Sequence, residues 1–171
     1  MALRTIMIFP KFQNMKIIDA IRSEYDPLSK LVRPHITLVF PFDLELSDEE
    51  LSIFLDNRLC GVRPFTISLQ GISRYEDKYG NYLLLDVNEG NDQLSDIHCK
   101  LCTGELKKLN SGSMYIPHMT IGKLKTLEDL SRAYDKVKGL EVEFKTVIDA
   151  ICVEVIGENE ESTIIIEKRL K

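Results

Sequence analysis

The pattern Pro-His-x-Thr occurs twice in this chain, as PHIT at residues 34–37 and as PHMT at residues 117–120. Each copy runs directly into an apolar segment that is typical of a β-strand. The two histidines, His35 and His118, lie 83 residues apart (118 − 35), which is about half of the 171 residues. A motif repeated at this spacing indicates two related halves that each supply one His–Thr pair.

Residues two apart on a strand point to the same side of a sheet. His35 therefore shares a face with Thr37, and His118 shares a face with Thr120. The apolar residues between them are free to pack beneath helices. If the two halves face each other, two imidazoles and two hydroxyls converge in one cleft.

This set of groups suits in-line cleavage of a phosphodiester, which needs a base on one side of phosphorus and an acid on the other. Histidine titrates near neutrality, so one ring can be neutral while the other is protonated. The threonine hydroxyls can donate hydrogen bonds to the non-bridging oxygens, where charge accumulates. The chemistry requires no metal and no cofactor.

Hydrophobic periodicity predicts an α+β chain with mainly antiparallel strands. Four helices are predicted, and the second of them begins with a capping box formed by Ser47 and Glu50. Residues 110–113, NSGS, are predicted to form a loop. The helices are expected at residues 14–25, 46–60, 91–109 and 126–139, and the strands at 2–10, 34–40, 64–77, 79–88 and 114–124, with two or three final strands in 141–156 and 162–170.

Composition excludes several classes of protein. The net charge of −5 and the pI of about 5.3 argue against tight binding to DNA or to long nucleic acid backbones. No stretch approaches the roughly 20 apolar residues of a membrane span, and the N-terminus does not resemble a signal peptide. We therefore expect a cytoplasmic protein whose four cysteines are reduced.

The segments HITL and HMTI resemble the paired H-x-T-x motifs of the 2H phosphoesterase superfamily, which includes the 2′–5′ RNA ligases and cyclic phosphodiesterases. The segment TGELKKLNSGSMYIPHMTIG most resembles the short bacterial phosphoesterase-like members of that group. The resemblance implies a single domain over residues 1–171 with two lobes, one motif in each. It also implies two sheets with flanking helices, a pseudo-two-fold axis and a central cleft.

The resemblance further implies hydrolysis or ligation of 2′,3′-cyclic or 2′–5′ phosphodiester bonds in a small nucleotide or an RNA end. In this chain His35 would be the proton donor and His118 the proton acceptor, while Thr37 and Thr120 would bind the phosphate. The near symmetry of the two motifs gives no physical basis for choosing between donor and acceptor.

Four other residues are candidates for substrate binding. Arg33 has the strand parity of His35 and could reach a phosphate. Tyr75 and Tyr82, in the predicted hairpin, could stack on a base, although strands also favour tyrosine for packing. Tyr115 has the opposite parity to His118, so it would need a bend to reach the cleft.

Two other classes of function stay open at this point. The first is a module that binds a nucleotide or RNA end without turnover. The second is a metalloenzyme that uses both histidines as ligands, although the chain shows no further ligands at recognisable spacing. His98 and Cys102 lie one helical turn apart, and a helix-face histidine is the more common outcome there. The sequence does not indicate an oligomeric state.

Overall fold

The computed structural model describes residues 3–109 and 114–171, which contain eight β-strands and four α-helices. In chain order these are β1 (Leu3–Ile8), α1 (Met15–Tyr25), β2 (Ile36–Phe42), α2 (Asp48–Leu59), β3 (Phe65–Asp77), β4 (Gly80–Glu89), α3 (Asn91–Leu101), β5 (His118–Leu124), α4 (Leu127–Val137), β6 (Phe144–Ile148), β7 (Ala150–Ile156) and β8 (Ser162–Arg169). The mixed content agrees with the α+β prediction.

All eight strands belong to one antiparallel sheet in the order β6-β3-β4-β5-β2-β1-β7-β8. The expectation of two sheets was therefore wrong. The two motif strands, β2 and β5, pair with each other through Ile36 and Met119 and so join what would otherwise be separate four-stranded halves. Only this one residue pair forms the junction among the residues that the structure describes.

The apolar residues of the two motifs anchor the strands in the core. Ile36, Met119 and Leu85, a β4 residue that also pairs with Met119, are essentially inaccessible to water. They belong to one continuous hydrophobic cluster that includes buried residues of all four helices. Burial of this side of β2 and β5 leaves their alternate residues on the opposite face.

Two of the predicted helix starts are confirmed in detail. Ser47 accepts a hydrogen bond from the backbone N–H of Glu50, whose side chain accepts one from Ser47 N–H, which completes the capping box before α2. The side chain of Thr126 caps α4 by accepting from the backbone N–H of Asp129, in agreement with a helix expected to begin at residue 126.

One helix was predicted too long. Instead of reaching residue 109, α3 ends at Leu101 and a separate 3₁₀ helix follows at Gly104–Leu109. Gly104 has a positive φ of 56°, a conformation that stops an α-helix and that glycine adopts without strain. The loop predicted at 110–113 lies outside the described residues.

A buried ion pair shapes the segment that leads into the first motif. Arg22 in α1 lies 2.8 Å from the Asp26 carboxylate, and both side chains are almost fully buried. The same guanidinium donates to the carbonyls of Leu28 and Val32. Arg22 thus holds the turn at residues 26–32 against α1, so that the chain enters β2 in a defined direction.

No helix in the described ranges is long and apolar enough to cross a membrane.

We predict that Arg22→Met destabilises the protein by about 3–5 kcal/mol, because it leaves the Asp26 carboxylate buried without its partner. Urea unfolding followed by circular dichroism measures the change in the free energy of unfolding. Arg132→Met is the matched control, since Arg132 pairs with Asp129 in an exposed position. An equal loss of stability in both variants would contradict the role assigned to the buried pair.

Candidate active site

The register of β2 and β5 brings the two His–Thr pairs together on one face of the sheet. Ile36 lies opposite Met119, so the antiparallel register places His35 opposite Thr120 and Thr37 opposite His118. All four side chains are half-buried, whereas Ile36 and Met119 are buried on the other face. The predicted convergence of the two motifs therefore occurs side by side within a single sheet.

In this register the two imidazoles are diagonal neighbours. Diagonal residues on adjacent strands lie about 7–8 Å apart, which leaves space for a phosphate between two rings. The two threonines occupy the other diagonal. The four groups thus form a quadrilateral in which each histidine faces the threonine of the other motif.

Both rings are held by the same hydrogen bond. His35 donates from Nδ1 to the carbonyl of Arg33 at 2.8 Å, and His118 donates from Nδ1 to the carbonyl of Ile116 at 2.8 Å. A carbonyl oxygen only accepts, so each Nδ1 must carry a proton. Nε2 is therefore the atom of each ring that can gain or lose a proton.

The surroundings of His35 favour its neutral form. Loss of contact with water lowers the pKa of His35, and the positive charges of Arg22 and of a protonated His118 act in the same direction. The carbonyl of Arg33 and the carboxylate of Asp26 oppose this shift in the pKa of His35 without overcoming it. At neutral pH His35 is therefore suited to accept a proton.

Phe9, which follows β1, connects His35 with Arg33. Its ring meets the His35 ring edge-on, with centroids 6.2 Å apart, and the Arg33 guanidinium lies 4.3 Å from its centre. Arg33 is exposed to solvent. The structure thus places this predicted candidate beside the first motif, with its charge stacked on an aromatic ring.

His118 has an acidic neighbour that sequence analysis missed. Asp86 of β4 lies directly opposite His118 in the register, so the two side chains share a face. Ser73 donates to Asp86 Oδ1 at 2.6 Å, which leaves Oδ2 available. The signal in the sequence was an aspartate within the apolar run LLLDV, but only the β4–β5 register shows which residue it faces.

The side chain of Tyr115 braces the motif strands. Its hydroxyl donates to the carbonyl of Thr37 at 2.7 Å, and its ring stacks on His98 with centroids 4.1 Å apart. His98 in turn donates from Nδ1 to the carbonyl of Leu38 at 2.7 Å. Burial strongly raises the pKa of Tyr115, so its hydroxyl stays protonated as a donor. These two bonds satisfy β2 carbonyls just beyond the single β2–β5 pair.

Tyr75 and Tyr82 form a cross-strand pair in the β3–β4 hairpin. Their ring centroids are 6.3 Å apart, and Tyr75 is 52% exposed. Tyr82 lies two residues from Leu84, which pairs with Thr120, so the tyrosines share the face of the His–Thr pairs but stand to one side of them.

The four cysteines are free thiols, of which Cys60 and Cys99 are exposed and Cys102 and Cys152 are buried. Cys102 Sγ lies 3.7 Å from His98 Nδ1. In the part of the chain that the structure describes, no three His, Cys, Asp or Glu side chains are grouped as metal ligands would be.

The fold matches solved structures over almost the whole chain. Escherichia coli LigT in complex with 3′-AMP aligns over 99% of this chain and 98% of its own, with a TM-score of 0.66 at 13% identity. The Thermus thermophilus protein TT0787 aligns over 98% of this chain and 97% of its own, with a TM-score of 0.63 at 13% identity. Kluyveromyces marxianus Usb1 aligns over 98% of both chains, with a TM-score of 0.60 at 10% identity. At these identities the likeness establishes the fold.

Sequence comparison identifies relatives of similar length. A curated protein of Oceanobacillus iheyensis named "Putative phosphoesterase" is 32% identical over 69% of this chain and 68% of its own. One of Halalkalibacterium halodurans with the same designation is 25% identical over 85% of this chain and 84% of its own.

Fold, site and relatives together define an enzyme that acts on phosphodiester bonds. The family model of the 2′-5′ RNA ligase superfamily matches residues 9–160, and the chain belongs to that family. The resemblance to 2H phosphoesterases drawn from HITL and HMTI is confirmed.

We predict that Tyr115→Phe lowers the free energy of unfolding by about 1–2 kcal/mol, because the Thr37 carbonyl loses its donor while the stacking on His98 persists. Urea unfolding measures this change. Tyr79→Phe is the control, since Tyr79 is 68% exposed at a hairpin turn and should be neutral. A neutral Tyr115→Phe would show that the bond contributes nothing to the junction of β2 and β5.

Proposed function

We propose that this protein is a metal-independent phosphoesterase that hydrolyses, or in reverse ligates, 2′,3′-cyclic or 2′–5′ phosphodiester bonds in a small nucleotide or RNA end. The observation that carries the proposal is the quadrilateral of His35, Thr120, His118 and Thr37, with both rings fixed through Nδ1. Support also comes from E. coli LigT, whose solved complexes contain ATP, 3′-AMP, NADP⁺ and phosphate.

We further infer that the chain is one domain with two lobes related by an approximate two-fold axis, and that the substrate lies in a groove where they meet. Four strands stand on each side of the β2–β5 junction. In each half a strand, a helix, the motif strand and a second helix follow in order: β1-α1-β2-α2 in the first and β4-α3-β5-α4 in the second. The matching Nδ1 bonds of the two histidines fit the same symmetry.

In the proposed hydrolysis, Nε2 of His35 takes a proton from water as the water oxygen attacks phosphorus. The bond from phosphorus to one ribose oxygen breaks on the opposite side, and that oxygen takes a proton from Nε2 of His118. The products are a phosphomonoester and a free ribose hydroxyl. Thr37 and Thr120 donate to the non-bridging oxygens, where negative charge builds up in the transition state.

This assignment of base and acid reverses the labels that the family resemblance implied, for a physical reason. The lowered pKa of His35 favours a neutral ring that can accept a proton. The other ring of the quadrilateral, His118, is then the group left to protonate the leaving oxygen. By microscopic reversibility the two histidines exchange roles in ligation, so His35 is the proton donor in that direction.

We predict that His35→Ala and His118→Ala each lower kcat on a 2′,3′-cyclic nucleotide by at least about 100-fold, because each removes one proton-transfer group. Thr37→Val and Thr120→Val are expected to lower kcat by about tenfold or more, since each removes one donor to the phosphate. The assay uses purified protein in chelator. His98→Ala is a comparison outside the quadrilateral, although it also removes a bond to Leu38.

Activity that is absent in the wild type, or undiminished in both histidine variants, would end the proposal. Tight binding of nucleotide by calorimetry without any product would instead favour a binding module. Activity that disappears in chelator and returns with a metal ion would contradict metal independence.

We predict a bell-shaped pH dependence of kcat/KM. The rising limb reports loss of a proton from His35, and it should lie below pH 6.5 because the pKa of His35 is lowered from that ordinary value. The falling limb reports loss of the proton that the general acid must donate. A rising limb above pH 7 would contradict the assignment of His35 as the base.

A further inference from the structure

A bulge in β5 changes which residues share the face of the catalytic groups. Leu84 pairs with Thr120, but the next pair is Leu83 with Gly122, so one residue of β5 is unmatched. Simple alternation from His118 puts Lys123 on the opposite face. The extra residue reverses the parity, and Lys123 lies opposite Tyr82 on the face that carries Thr120.

Gly122 and Gly80 make this arrangement possible. A Cβ at Gly122 would come within 2.9 Å of Tyr25 Cβ and 3.2 Å of a Leu83 methyl, so the bulge needs a glycine against the core. A Cβ at Gly80 would come within 3.0 Å of Lys123 Cε and 3.1 Å of the Tyr82 ring. The lysine and tyrosine side chains therefore pack over Gly80, in space that a larger residue would occupy.

Tyr75, Tyr82 and Lys123 form what we call the tyrosine–lysine patch. The Lys123 ammonium lies 5.7 Å from the centre of the Tyr82 ring, and the Tyr75 and Tyr82 rings are 6.3 Å apart with 31° between their planes. The Asp77 carboxylate near Tyr82 is engaged by the turn, where it accepts from the backbone N–H groups of Tyr79 and Gly80.

The Lys123 ammonium has no carboxylate within 4 Å among the residues that the structure describes. Tyr75 leaves half of its surface in water. Core packing does not explain an exposed ring beside a cation without an acidic partner. Flat aromatic faces with a nearby ammonium are what a base and its phosphate would contact.

The patch lies at the right spacing from the reacting phosphate. Tyr82 is two residues from Leu84, the partner of Thr120, which corresponds to about 7 Å along the strand. Because Thr120 meets the phosphate itself, the nucleoside that carries this phosphate would fill the space between Thr120 and the patch. The adjoining nucleotide of a longer chain would then reach Tyr82 on β4 and Tyr75 on β3.

We propose that the tyrosine–lysine patch binds the nucleotide that adjoins the one carrying the reacting phosphate. The preferred substrate is then an oligoribonucleotide end and not a mononucleotide. This inference rests on the proposed function. The adjoining base stacks on Tyr82 and Tyr75, and its phosphate meets the Lys123 ammonium. The net charge of −5 disfavours binding along a long nucleic acid backbone, and a contact with one adjoining nucleotide avoids this cost.

The test compares kcat/KM on two substrates, adenosine 2′,3′-cyclic phosphate and the dinucleotide ApA with a 2′,3′-cyclic phosphate end. The wild type should prefer the dinucleotide by at least about tenfold, since stacking one base has that order of effect. Tyr82→Ala and Lys123→Met should each reduce the ratio of the two kcat/KM values by about fivefold or more. Tyr75→Ala, at a more exposed position, provides the same test if Tyr82→Ala does not fold.

The matched controls are Tyr79→Ala and Lys78→Met. Lys78 Nζ lies 4.8 Å from the Tyr79 ring, so these residues form the same kind of pair on the same hairpin, but at its turn. Both control variants should leave the ratio of the two kcat/KM values unchanged. Equal kcat/KM values for both substrates in the wild type, or a ratio that the patch variants do not change, would overturn the inference while the phosphoesterase proposal stands.

If neither substrate is hydrolysed, the phosphoesterase proposal fails and binding decides the role of the patch. The probe is then ApA with a 2′-phosphate end, and calorimetry measures its Kd beside that of adenosine 2′-phosphate. Tighter binding of the dinucleotide that is lost in Tyr82→Ala and Lys123→Met supports the patch. Equal affinities contradict it.

Discussion

The arrangement of the two His–Thr pairs depends on a single pairing, that of Ile36 with Met119. This pair lies in the core, and its register determines which polar residues meet on the other face. A slip of one residue would turn a histidine and a threonine into the core and bring apolar residues to the surface. Burial of the two apolar side chains therefore selects the register that sets each imidazole diagonal to the other.

One residue pair is a weak junction for two four-stranded halves. Side-chain contacts around it supply hydrogen bonds that further β2–β5 pairs would otherwise provide. Beyond Ile36 the β2 carbonyls of Thr37 and Leu38 accept from the Tyr115 hydroxyl and from His98 Nδ1. On the entry side, Arg22 fastens the turn before β2. These contacts satisfy β2 carbonyls that have no partner on β5, so the single pair does not leave buried polar groups without hydrogen bonds.

Much of the fold and of the candidate site was predictable because local sequence patterns determine it. Alternation in HITL and HMTI predicts which residues share a face, and the Ser47–Glu50 capping box predicts the start of α2. The remainder depends on pairing between distant strands. Registers between strands that are distant in the sequence are not encoded in any local pattern. They join the two expected sheets into one, place Asp86 opposite His118, and create the bulge that brings Lys123 to the face of the His–Thr pairs.

If both motifs act on one phosphate, a crystal structure of the protein with inorganic phosphate will show it most directly. We expect one phosphate that accepts hydrogen bonds of about 3 Å from the hydroxyls of Thr37 and Thr120 and from Nε2 of both His35 and His118. Phosphate bound by only one motif, or Nε2 atoms turned away from each other, would contradict it.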